Sequence, residues 1–355
     1  MTDNTMHPSK QLPVALSCPI ERSSDCVLLA HGEGGRLMRQ LLRERIVPIL
    51  GISAEEDAVS VEIGANELAI TTDSFVVSPL FFPGGNIGSL AVYGTVNDLS
   101  VAGADPICIT LSLIIEEGLP FELFDRVLKS IAEASQECQV SVVAGDTKVV
   151  PRGAADKLFI TTTGVGRYRA AARLSCHKLQ TGDALIVSGP IGQHGIAVLA
   201  AREKLNLHPA PHSDSANLSL VCSALHRELG THLRAMRDAT RGGVSAVLHE
   251  WSSASGMTMK LDEHQLPVGS TTRGVCELLG LDPLYVANEG TFVAAVEPSA
   301  LPQAMAVLRS FPVSAKSQVI GTVLTKMSSP VVIERLLGSL QPVDEPSGAP
   351  LPRIC

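Results

Sequence analysis

TTDSFVVSPLFFPGGNIGSLAVYGTVNDLSVAGADP, residues 71–106, changes period in its middle. Its start belongs to ELAITTDSFVV (residues 67–77), the second of two strand-like runs between Val59 and Val77. Past the prolines and glycines at 79–85, residues 87–102 place Ile87, Leu90, Ala91 and Gly94 at helical spacing. Downstream, CITLSLIIEE reads as a buried strand. LPFELFDRVLKSIAEASQECQ reads as an amphipathic helix opened by Pro120, with Phe124, Val127, Leu128, Ile131 and Cys138 on one face. SVVAGDTKVV and KLFITTTGVG are rich in β-branched residues and predict strands. Upstream, HGEGGR (His31–Arg36) leads into a helical stretch, LMRQLLRERIVPIL.

After about Arg167 the alternation resumes: a strand and turn at DALIVSGPIG, helices at GIAVLAAREKL and NLSLVCSALHREL, then a Gly-rich turn and helix at DATRGGVSAVLHEWSSASG. VANEGTFVAAV predicts a strand and ALPQAMAVLRSF a last helix. Strands and helices intermixed in both halves predict two α/β or α+β domains, and 355 residues accommodate two cores plus loose ends. The expected division is a polar leader over 1–30, domains over 31–168 and 169–337, and a flexible tail over 338–355. That tail, GSLQPVDEPSGAPLPRIC, holds four prolines and two glycines without an apolar period, so it reads as a linker rather than a core element. Extended, it would reach about 50 Å and carry Cys355 with it.

The net charge of −8 and the lack of a Lys/Arg block argue against nucleic acid as a partner. No run approaches the ~20 apolar residues of a membrane helix, and no basic-then-apolar leader marks export. Eight cysteines without a CxxC pair argue for a reducing compartment, so the expected location is cytoplasmic.

Three glycines in four positions of HGEGGR, ahead of a helix and beside Arg36, can bring backbone N–H groups to phosphate oxygens; glycine clusters are also ordinary turns. Asp73, Asp98 (with Asn97) and Asp146 each follow an apolar run, and three oxygen donors suit Mg²⁺. Each aspartate alone reads equally as a cap or turn residue. Lys148 could neutralise a phosphate or be a solvated lysine, and Glu289 could be a general base or a turn residue. DATRGG (Asp238–Gly243) is a second anion-site candidate. His208 and His212 are separated by prolines that forbid a zinc-binding helix. Cys355 stands apart from the other cysteines because a mobile tail would leave it little to pack against.

In order, HGEGGR, residues 71–106, IIEEGLP, GDTKVV, DATRGGV, VANEG and the terminal PRIC closely resemble the hydrogenase-maturation HypE family. The resemblance runs from about residue 31 to 355. DSFVVSPLFFPGGNIG and PRIC are its most specific parts; the other motifs are shared with aminoimidazole ribonucleotide synthetase, selenophosphate synthetase and thiamin monophosphate kinase. It implies a PurM-like fold whose N-terminal, ATP-binding domain forms a barrel with a second subunit's sheet in a homodimer. The implied chemistry is carbamoylation of Cys355 by a HypF-type carbamoyltransferase. ATP-dependent dehydration of the S-carboxamide to S-thiocyanate follows, and then transfer of cyanide to iron on a HypC–HypD complex. On that pattern Gly32, Gly34, Gly35, Asp73, Asn97, Asp98, Asp146 and Thr147 bind ATP, and Asp73, Asp98 and Asp146 hold Mg²⁺. Glu289 and Lys148 take protons near the thiol of Cys355. Two rival readings are a selenophosphate synthetase-like enzyme acting on a free small molecule and a non-catalytic thiol scaffold. Neither uses both the terminal cysteine and the carboxylate motifs.

Overall fold

The computed structural model describes residues 35–41, 43–44, 49, 58–63, 66–169, 173–346, 351 and 353–355. A short helix α1 (Gly35–Leu41) precedes β1 (Val59–Ile63), β2 (Asn66–Phe75) and a small ribbon of β3 (Phe81–Phe82) and β4 (Gly85–Asn86). Then come α2 (Ile87–Val101), β5 (Ala104–Glu116), α3 (Phe121–Glu137), β6 (Ser141–Val150) and β7 (Leu158–Tyr168). The second half contains β8 (Ala184–Val187), α4 (Gln193–Arg202), α5 (Ser219–Leu229), β9 (Leu233–Asp238), α6 (Gly243–Ser255) and β10 (Thr258–Asp262). It ends with α7 (Ser270–Leu279), β11 (Phe292–Val296), α8 (Leu301–Arg309), β12 (Gln318–Leu324), β13 (Val331–Glu334) and β14 (Leu340–Pro342). The mixed two-domain architecture expected from the alternation is the one found. The β3–β4 ribbon, strands β9, β10, β12, β13 and β14 and helix α7 were not among the elements read from the sequence.

The first sheet runs β1-β2-β7-β5-β6, and its one parallel pair, β5 with β6, is joined by α3 as a crossover. Along β7 burial alternates strictly: Leu158, Ile160 and Thr162 are buried, while Phe159, Thr161 and Thr163 are half-exposed. One face is therefore covered by helices and the other is open. α2 is the central helix, with twelve of its fifteen residues buried, because it is wedged between this sheet and the second half of the chain. Its start is fixed by Asn86, whose Oδ1 accepts from the Gly88 and Ser89 N–H groups at 2.9 and 3.3 Å. β6 is an edge strand exposed from Ser141 to Val149, including Val143 and Val149.

The second sheet runs β14-β13-β10-β12-β8-β11-β9. β8 (ALIV) and β11 (FVAAV) are buried at every position, which explains their unbroken apolar sequences. Leu185, Val187, Val293 and Ala295 pack with Val247, Leu248 and Trp251 of α6. Ile186, Phe292, Ala294 and Val296 face α5 and α8 on the other side.

The tail corrects an expectation. Over its described residues it is not a loose linker: β14 pairs with β13, and Val343, Leu351, Ile354 and Cys355 are buried. Leu351, Ile354 and Cys355 join the core that α2 and α3 share with Ile196 of α4 and Val275 and Cys276 of α7. Cys355 is 8% exposed, so the expectation that it packs against little also fails. Four apolar side chains spaced among the prolines, together with backbone groups that find partners, outweigh the composition.

Candidate active site

β2, α2 and the end of β9 converge between the two halves. Thr71, Thr72 and Asp73 come from β2, Gly94 and Asp98 from α2, and Arg237 and Asp238 from β9. With Thr240, Arg241 and the first two turns of α6 they line a cleft of about 230 Å³. The Thr71 hydroxyl donates to Asp98 at 2.8 Å, and Asp98 is also hydrogen-bonded to Asp238. Arg241 lies 3.6 Å from Asp73, and Arg237 pairs with Glu250 at 3.0 Å. The cleft thus combines carboxylates, hydroxyls and two guanidiniums, the donor set that a metal-bound polyphosphate requires.

Behind it the loop before β11 is held tightly. Asp214 accepts from the Glu289 and Gly290 N–H groups, both at 3.1 Å, and from the Thr291 hydroxyl at 2.9 Å. Asn288 accepts from Gly192 N–H at 2.7 Å and donates to the Ala239 carbonyl at 2.8 Å. Position 290 must be glycine, because a Cβ there would collide with the Asp214 carbonyl. The clamp presents Glu289, which is buried and whose Oε1 has no hydrogen-bond partner among the described residues. Burial pushes its pKa well above the carboxylate range, and Asp238, Asp73 and Asp214 add to that against Arg241. Burial likewise raises Asp73, opposed by Arg241 and the Ser74 N–H. Asp238 is pushed up to about 6 by burial, with Arg237 opposing and Asp73 reinforcing. The group is poised to accept protons or to take up positive charge.

The other predicted residues disperse. Asp146 and Lys148 sit on the open β6 edge, paired with each other at 3.1 Å. Thr147 lies between them, equally exposed. The strand register Asp73–Thr162, Thr162–Leu111, Leu111–Gly145 places the start of this motif three strands, or about 14 Å, from Asp73. The metal set Asp73, Asp98 and Asp146 is accordingly not assembled within one chain. Among the described residues no group of three His, Cys, Asp or Glu side chains could hold a metal ion by itself. Nor are Lys148 and Glu289 brought together. The Lys148 hydrogen bond and the Thr147 N–H hold the Asp146 carboxyl below its ordinary value.

Asn97 is buried and its amide is committed to structure, donating to the Ala216 and Glu289 carbonyls at 3.0 and 3.4 Å and accepting from Leu218 N–H at 2.9 Å. It ties α2 to the Glu289 loop instead of lining the cleft. Gly32 and Gly34 lie outside the described residues. Gly35 opens α1 at φ +77° and lies against the tail, where a side chain would overlap the Pro346 carbonyl, and Arg36 N–H donates to that oxygen at 2.8 Å. Asp214, Arg237 and Glu250 were missed by sequence reasoning. Arg237 could have been found beside Asp238, but nothing local marks Asp214.

The cysteine-bearing segment lies along the continuation of β2. Val76 N–H donates to the Cys355 backbone oxygen at 3.0 Å and Ser78 N–H to the Arg353 carbonyl at 3.3 Å. Arg353 in turn donates to the Val76 carbonyl at 3.0 Å and pairs with Asp156 at 2.9 Å. The tail is thus docked by backbone hydrogen bonds, with Arg353 left-handed at φ +55°, three residues along from Asp73.

Two family models match the chain, AIR synthase related protein, N-terminal domain, over residues 55–168, and its C-terminal domain over residues 180–333. Carbamoyl dehydratase HypE of Escherichia coli (strain K12) is 44% identical over 337 residues, 93% of this chain and 99% of that protein. The structure of a HypE–HypF complex superposes with a TM-score of 0.82 at 41% identity, covering 86% of this chain and 99% of that one. A hydrogenase maturation protein HypE in complex with ATP gives 0.79 at 39% identity, covering 93% and 100%. Thiamine monophosphate kinase from Aquifex aeolicus, at 19% identity and a TM-score of 0.63, shares the fold.

Proposed function

The chain belongs to the carbamoyl dehydratase HypE family, and from that membership we propose that it dehydrates its own S-carbamoylated Cys355 to an S-thiocyanate at the expense of ATP, for [NiFe]-hydrogenase maturation. The observation that carries this reading is the docking of Cys355 on Val76, three residues past Asp73, in the same core as Val286 and Ala287 of the segment leading to Glu289. A HypF-type carbamoyltransferase supplies the carbamoyl group, in keeping with the HypE–HypF complex. A HypC–HypD complex carrying iron receives the cyanide, and the setting is the cytoplasm.

The balance is RS–C(=O)NH₂ plus ATP giving RS–C≡N, ADP and phosphate. The carbamoyl oxygen takes the γ-phosphoryl group, the C–O bond breaks with phosphate leaving, and nitrogen gives up two protons. Arg237 and Arg241 neutralise phosphate charge in the cleft, and the Thr71 and Thr72 hydroxyls offer donors. Asp73 and Asp98 are the carboxylates that would hold Mg²⁺, which supplies charge neutralisation; two protein carboxylates are enough because phosphates and waters complete its shell. Glu289 accepts the amide protons, for which a high proton affinity in a dry pocket is suited. Its ionised form is favoured by Arg241 and by any cation bound beside Asp73.

The protein acts as a homodimer. The open face of the first sheet and the uncovered β6 edge, with Val143 and Val149 exposed, form the surface that a second copy covers. In that assembly Asp146, Thr147 and Lys148 serve the partner's cleft, which accounts for their distance from Asp73 within one chain. The reading is tested by intact mass after incubation with carbamoyl phosphate, the HypF-type partner and ATP. Gain of one carbamoyl group followed by net loss of one water is expected; a carbamoyl adduct that persists with ATP would overturn it.

A further inference from the structure

We propose that His194 is the positioning residue of the tail: its Nε2–H holds the Ile354 carbonyl and thereby fixes where Cys355 lies against the end of β2. Only the identity of the group on sulfur rests on the function proposed above. His194, in the first turn of α4, is completely buried, with its ring edge-on to Phe82 at 5.3 Å between centroids. Its Nε2 is 2.9 Å from the Ile354 oxygen and its Nδ1 2.8 Å from the Ser213 hydroxyl. A carbonyl only accepts, so Nε2 carries the hydrogen, and in the neutral ring Nδ1 accepts from Ser213. The Ser213 oxygen accepts in turn from Ser215 N–H at 3.0 Å. Burial, the main cause, lowers the imidazole pKa and keeps the ring neutral. Every hydrogen bond in this line has one direction, and each strengthens the next.

The position links two parts of the site. Residue 213 anchors His194, while the adjacent Asp214 clamps the backbone of Glu289 and Gly290. The carbonyl next to Cys355 and the loop carrying Glu289 are therefore registered through neighbouring residues. At the last turn of the same helix Arg202 donates to the Ser78 carbonyl at 2.9 Å and the Arg353 carbonyl at 2.6 Å. α4 holds the tail at both ends.

His194→Gln keeps a donor near the place of Nε2, whereas His194→Asn keeps only one near Nδ1. In the full-length protein, peptide-resolved alkylation of Cys355 by iodoacetamide should rise about tenfold in the Asn variant, since an unmet buried carbonyl releases the docked state. It should stay near the parental rate in the Gln variant. After carbamoylation by the HypF-type partner, dehydration should slow to a similar degree in the Asn variant with KM for ATP unchanged. Equal alkylation of Cys355 in the parent and both variants would overturn the assignment. So would equal acceleration in both, which is what simple loss of packing against Phe82 would give. If both variants fail to fold, Arg202→Met is read by the same alkylation assay, and an unchanged rate there overturns the two-ended hold. A parent that alkylates slowly but never dehydrates would refute the proposed reaction and leave the docking role of His194 standing.

Discussion

The carboxylates of the interdomain cleft and that of the β6 edge sit in opposite electrostatic surroundings. Asp73, Asp238 and Glu289 line one region, and burial drives all three toward the protonated form, with repulsion from neighbouring carboxylates adding to it at Asp238 and Glu289. Asp146 lies in solvent beside Lys148 and is stabilised as the anion. The same side-chain chemistry is thus made into a proton acceptor in one place and a permanent charge in the other. The difference also separates a site complete enough to strain its own acids from a strand that offers charged groups outward to something it has yet to meet.

The sharpest way to break this contrast is Glu289→Gln. Dehydration of carbamoylated Cys355 should fall by at least about two orders of magnitude while ATP binding and carbamoylation persist; normal thiocyanate formation, read by intact mass, would remove Glu289 from its role. Next in size is a complementation test of where the β6 residues act. Lys148→Ala and Glu289→Gln should each be inactive alone. Mixed after subunit exchange, they should regain about a quarter of parental activity if each site draws one residue from each copy. No recovery would place both residues in one chain's site.

A smaller effect concerns pH. A carboxyl whose pKa rises on folding stabilises the protein when protonated, and that contribution is lost as pH climbs from its unfolded to its folded value. For Asp238 this window runs from 3.8 to about 6. Without ATP or Mg²⁺, raising the pH across it should lower the parental Tm by several degrees relative to Asp238→Asn, followed by scanning calorimetry. The smallest change belongs to the edge: at dilutions where the copies separate, Asp146→Asn should shift Tm by no more than about 1–2 °C, because a solvated pair contributes little. A larger drop would mean that β6 is not the open strand described.

Much of the fold was legible because period follows burial. The switch from strand to helix across residues 71–106 marks β2 and α2 themselves, and the all-apolar β8 and β11 announce a sheet covered on both faces. β10, β12 and β13 were harder: TMKLD and VVIE are short, and QVIGTVL is interrupted by Gly321. For the site, Asp73 and Asp98 follow apolar runs, and Asp238 and Glu289 stand beside glycines in DATRGG and VANEG, so their places could be anticipated. Asp214 could not, because its function is to hold backbone N–H groups 75 residues away along the chain. Asn97 carries the reverse lesson: motif membership beside Asp98 marked it for a nucleotide, but the helix turns it toward the Ala216 carbonyl. The tail misled through composition, which counts prolines but does not register that Val343, Leu351 and Ile354 recur often enough to anchor a chain.

The enclosure of Cys355 sets a ceiling on throughput. A cysteine at 8% exposure can neither be loaded by one partner nor unloaded to another until the contacts that dock it release. The same contacts that shield a reactive thiocyanate from water and stray nucleophiles therefore meter its delivery. Tightening them would give a safer cargo and a slower courier.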